Sequence, residues 1–149
     1  MSDAEKLNIL QQLADIASLA GINGEVDEEE MHYCSFFETT DSRSQMVYVR
    51  PTAKTISEED VVTFFSPCLT VKKGMLKGIS KDRALDLLKR NEDQLFARFG
   101  IWSGENEDII VVSVDHILSA LDPSEFENHM FYIALVADQY EKDFGQDIF

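Results

Sequence analysis

The chain has 149 residues, 44% hydrophobic and 28% charged, with a formal net charge of -15. That length suits one globular domain spanning residues 1–149, with volume for a core that needs neither metal nor disulfide. The charge argues against nucleic-acid binding, which draws on Lys and Arg to displace counterions from phosphate, and no apolar run approaches the roughly 20 residues of a membrane span.

The opening Met1-Ser2-Asp3-Ala4-Glu5-Lys6 has neither the basic region nor the apolar core of a signal peptide, so a cytoplasmic protein is expected. Ser2 and Glu5 have the spacing of a capping box, and Leu10, Leu13, Ile16, Ala17 and Ala20 then form one apolar helical stripe, which Gly21 and Asn23-Gly24 end. The acidic run Asp27 to Glu30 reads as a solvated linker. Three β-rich segments follow, Met31 to Thr39, Gln45 to Arg50 and Val61 to Ser66, the first two joined as a hairpin through the polar connector Thr40 to Ser44. Pro51 is expected to limit the second strand and Pro67 to close the third. Between Cys68 and Ile79, Leu69 to Val71 could extend the sheet, but Lys72-Lys73-Gly74 and Lys77-Gly78 look like a mobile basic loop, and the segment is read as loop.

Ser80 caps a second helix, Lys81 to Glu92, with Ala84, Leu87 and Leu88 facing inward. Strands at Leu95 to Trp102 and Ile109 to Val114, the latter running on to Ile117, form another hairpin across the loop Ser103 to Asp108. Asp122, Pro123 and Glu125 open the last helix and Gly145 ends it. Its stripe is Phe126, Met130, Ile133, Ala137, Tyr140 and Phe144, widened by Leu135 and Val136. The order α-β-β-β-α-β-β-α packs most simply as an α+β domain, an antiparallel sheet with helices laid on it.

Signatures of catalysis are missing. His32 and Cys34 point to the same side of a strand, but Cys68, His116 and His129 do not complete a zinc-ligand spacing. Pro67-Cys68 lacks the second cysteine and the His-x-Glu of a zinc deaminase, and no nucleophile elbow, phosphate loop, EF-hand or dinucleotide fingerprint occurs. Cys34 and Cys68 read as small buried hydrophobes of a reducing compartment. The basic set Lys72, Lys73, Lys77 and Lys81, with Arg83 nearby, could dock an acidic tail or a phosphate, but reads first as a solvated loop. The expectation is a protein without enzymatic activity, cofactor or metal. Its alternative is a small-molecule-binding or cryptic enzymatic domain, with a pocket between sheet and helix.

The positive sign is aromatic. In Phe36-Phe37 and Phe64-Phe65 only one ring of each pair can face a one-sided core, so the other either remains exposed or marks a second apolar sheet face that a helix, a twin subunit or an extended client could cover. Trp102 and Phe37 are the expected partner-contacting residues, with the acidic surface steering a basic or amphipathic protein or peptide.

The segments "DVVTFFSPC", "ALDLLKRNEDQLFARFGI", "IIVVSV" and "LDPSEFENHMFYIALVADQYEKDF" resemble, in order and in their Ser-Pro, Leu-Leu-x-x-Asn and Leu-Asp motifs, the YbjN family and the type III secretion chaperones of the CesT (Tir chaperone) kind. The resemblance implies a secretion-chaperone-like fold and a small acidic cytosolic homodimer, paired through the central helix or a neighbouring strand, that holds a client segment extended. It also matches Asn91 to the Asn that closes the family's central helix and Ser66-Pro67 to its strand exit. Both positions read as structural, the Asn through left-handed geometry that stops the helix.

Overall fold

Both sequence-read capping boxes form. The Ser2 hydroxyl accepts from the Glu5 amide at 3.3 Å while the Glu5 carboxylate accepts from the Ser2 amide at 2.7 Å. Asp122 and Glu125 repeat the exchange at 2.7 and 3.1 Å. They start α1 (Asp3–Leu19) and α3 (Pro123–Asp143). Gly21, at φ 74°, turns the chain out of α1 in the left-handed geometry that glycine adopts without strain. The computed structural model describes residues 1–74 and 78–144, so the reading of Gly145 as a helix end and of Lys77 as a loop residue lies outside the described residues.

The molecule is α+β: α1 and α3, with the shorter α2 (Lys81–Glu92), lie against an antiparallel sheet of β1 (Glu25–Asp27), β2 (His32–Glu38), β3 (Ser44–Lys54), β4 (Asp60–Lys72), β5 (Arg98–Ser103) and β6 (Glu107–Ile117), in the order β1-β2-β3-β4-β6-β5. The two expected hairpins, β2 with β3 and β5 with β6, are present.

Four boundaries differ from the sequence reading, each for a physical reason. The acidic run does not simply link elements: Asp27 ends a short edge strand, and its side chain accepts from the amides of Glu29 and Glu30 at 3.0 and 2.9 Å, closing a tight turn into β2. The prolines do not end their strands. β3 runs to Lys54 and β4 to Lys72, because the register shifts between Pro51 and Ala53 and again between Pro67 and Leu69, and at such irregularities the missing proline N–H costs no ladder bond. Cys68 to Lys72 are therefore strand, with Leu69 paired to Ile110. β5 begins only at Arg98, the residues before it making a turn.

Asn91 also acts differently from the expectation. The helix continues through it to Glu92 without positive φ, and its side-chain amide clamps α2 to β5: Nδ2 donates to the Phe99 carbonyl at 3.2 Å and Oδ1 accepts from the Phe99 amide at 2.6 Å. Leu88 and Leu135, read as inward-facing, point to solvent. Leu87 is the buried side chain of α2, and Leu135 lies outside the buried stripe of α3.

The core sits between the helices and one sheet face. Leu10, Leu13 and Ala17 of α1 and Phe126, Met130, Ile133 and Ala137 of α3 cover Tyr33, Val47, Val49, Val62, Phe64, Ile110 and Val112. Alternation along the strands sends the neighbouring side chains to the opposite face, which no helix among the described residues covers. No helix among them is long and apolar enough to cross a membrane.

Candidate functional site

The helix-free face carries an aromatic row across the sheet. His32 of β2 meets Tyr48 of β3 edge to face at 4.9 Å, Tyr48 stacks on Phe65 of β4 at 5.2 Å, and Phe65 meets Trp102 of β5 at 4.8 Å. The Arg50 guanidinium lies over the last two rings, 5.1 Å from the centre of Phe65 and 4.6 Å from that of Trp102. Phe65 is thereby nearly covered, whereas Phe36, beside Met46 and Cys34 at a shallow hollow of about 330 Å³, is 57% exposed. The hollow's edge is acidic at Glu25. Burial, helped by Glu25 and Asp27, pushes the Cys34 thiol above its usual range and so away from nucleophilic use.

The two residues read as partner contacts do not share a face. Trp102 belongs to the aromatic row. Phe37 turns to the helix side, half-buried against Phe131 of α3 at 5.1 Å. Its neighbour Phe36 is the outward ring, a choice of side that strand pairing makes and composition does not. Phe64 likewise enters the core against Phe126 while Phe65 faces out.

The helix side has its own apolar surface. A cleft of about 390 Å³ between α2 and α3 has Phe99 and Tyr140 at its base and Arg90, Gln94, Tyr132 and Leu135 at its walls. The turn after α2 is held there by Tyr132, whose hydroxyl accepts from the Leu95 amide and donates to Gln94, each at 2.9 Å. Leu88 and Leu95, 66% and 76% exposed, stand on α2 and this turn. Arg90 is occupied by Asp86 and Asp143, both at 2.8 Å, and no histidine lines the cleft. Among the described residues no three His, Cys, Asp or Glu side chains converge to hold a metal ion. Cys68 is wholly buried, and burial, with Glu141 nearby, raises its thiol far above the usual range. Lys73 is not a free loop cation: it donates to the Gly104 carbonyl at 2.6 Å and lies 3.2 Å from Asp108, binding the end of β4 to the β5–β6 loop.

One titratable cluster went unread in the sequence. His116 Nδ1 and His129 Nε2 share a hydrogen bond of 3.0 Å between β6 and α3, with Glu125 3.6 Å from the far nitrogen of His116. Burial, and then His116, depress the His129 pKa, partly opposed by Glu125. A histidine kept neutral in the fold and freer to protonate when unfolded contributes stability that is complete above about pH 6.5 and falls away below it. Urea unfolding at pH 7.5 and pH 5.5 is expected to show a loss of up to about 1 kcal/mol at the lower pH that His129→Gln removes. An unchanged loss in that variant would assign the acid sensitivity elsewhere.

The α+β fold is similar to that of a solved type III secretion chaperone. That structure is the Yersinia pestis type III secretion chaperone SycH in complex with a stable fragment of YscM2, to which this chain is similar with a TM-score of 0.52 and 14% identity over 90% of this chain and 98% of that one. No protein-family model and no curated protein matches the sequence.

Proposed function

We propose that this chain is a non-enzymatic protein-binding module of the chaperone or adaptor kind, one domain over residues 1–149, working in the cytoplasm as a homodimer that holds a polypeptide partner. The observation that carries the reading is the helix-free sheet face, where the exposed Phe36 and the part-exposed Tyr48 and Trp102 present apolar side chains on strands, the last two packed against Phe65. Such a surface gains affinity by removal of apolar area from water, at about 25 cal/mol per Å², while the excess of acid steers a basic or amphipathic client. The fold supports the same reading, since SycH has been crystallised with a protein fragment. YbjN-like membership rests on the sequence motifs. Leu88 and Leu95 are the side chains proposed to meet a second copy, and Phe37, beside Phe131, adds to the helix-side surface.

The test is copurification of the tagged chain from its native host, with the mass of the isolated protein read by light scattering. A stoichiometric partner is expected to bind about thirtyfold less tightly to Trp102→Ala or Phe36→Ala, a loss that persists at high salt. Leu88→Glu is expected to reduce a dimer mass to that of the monomer. Partner recovery untouched by both sheet-face variants removes the binding reading, and a monomer for the unaltered chain at high concentration removes the dimer.

A further inference from the structure

Arg50 differs from the other arginines of the chain. Arg43 pairs with Asp138, Arg90 with Asp86 and Asp143, Arg83 donates to the Tyr140 hydroxyl, and Arg98 donates to the carbonyls of Gln94 and Ala97. Among the described residues no group accepts a hydrogen bond from the Arg50 guanidinium, which makes only its two ring contacts. Scarcity of acid is not the reason, because the chain has 28 Asp and Glu against 13 Lys and Arg. Stacking occupies the flat faces of a guanidinium and leaves its in-plane N–H donors free, in the fork that matches a carboxylate. The Trp102 and Phe65 rings therefore hold a pre-positioned cation on the sheet face.

We propose that a polypeptide lying on this face presents one acidic side chain to Arg50, which fixes the register of an otherwise apolar segment. The inference rests on the polypeptide-binding reading and adds the client's chemistry: apolar along its length, basic enough overall to approach a chain of net charge -15, with a single Asp or Glu at the Arg50 position. A lone acid of this kind discriminates between clients more than it adds affinity, because a segment lacking it leaves a guanidinium covered and unpaired.

Trp102 is the only tryptophan, so its fluorescence reports on the site directly. A phage-displayed library of random linear peptides selected on the unaltered protein is expected to yield apolar sequences sharing one Asp or Glu. Synthesised with that acid changed to its amide, the peptides should bind about tenfold or more weakly by Trp102 fluorescence, and the difference should vanish in Arg50→Gln. Arg50→Lys, which keeps the charge and loses the fork, should fall between and guards against a folding defect in the first variant. Peptides that bind the sheet face with no shared acid, or whose amide forms bind equally well, overturn the carboxylate inference and leave the polypeptide-binding reading standing. Failure to select any peptide overturns both.

Discussion

Arg43→Ala is expected to lower stability by about 3 to 5 kcal/mol, the range for removing one partner of a buried ion pair. Arg43 sits in the connector between β2 and β3, and its Nε donates to Asp138 at 2.7 Å, with Glu141 at 3.6 Å. Both carboxylates are on the last turns of α3 and almost without exposure. The alanine variant keeps two acids in the interior and takes away their cation. In urea the midpoint should drop by on the order of 2 M. Replacing Arg43, Asp138 and Glu141 together with apolar residues of similar volume should recover most of that drop, since the desolvation cost disappears with the charges. An alanine variant as stable as the parent would show that the cluster is hydrated in solution and not the clamp described.

Phe126→Ala is the second large effect, about 3 to 5 kcal/mol from lost transfer energy and the cavity left behind. The Phe126 ring is wholly buried and meets Phe64 at 5.3 Å and Tyr33 at 5.9 Å, joining α3 to two strands at once. Its melting temperature should fall by about 10 to 15 °C. Phe96→Ala is the matched control: the same side chain type is 56% exposed there, covering only the edges of His129 and Tyr132, and the change should stay near about 0.5 kcal/mol. Equal melting shifts in the two variants would contradict the assignment of Phe126 to the core and Phe96 to the surface.

The separation of these effects has a functional side. The side chains that hold the helices on the sheet and those proposed to meet a partner come from alternate positions of the same strands. Phe64 contacts Phe126 and Phe65 contacts Trp102, although the two are adjacent in sequence. Substitutions on the helix-free face should therefore change binding with smaller effects on folding, which makes that face open to mutational mapping.

What the sequence determined by itself was local. A capping box needs residues three apart, and an amphipathic stripe needs one helix, so the starts of α1 and α3 and the buried positions Leu10, Leu13, Met130 and Ile133 were legible without any other part of the chain. The hairpins were legible too, because each joins neighbouring segments through a short polar loop. The tertiary structure alone decided everything that required distant residues to meet. β1 is too short to be recognised before β2 offers it a ladder, and β3 and β4 pass their prolines because register shifts opposite them remove the need for an N–H. Which ring of Phe36-Phe37 points outward depended on the pairing register, for a shift of one residue reverses every side chain. Arg43 looked like one more polar residue of a connector, yet its partner Asp138 lies 95 positions away. Arg50, Phe65 and Trp102 come from three strands, and only the antiparallel order β3-β4-β6-β5 gathers the cation and its two rings on one face.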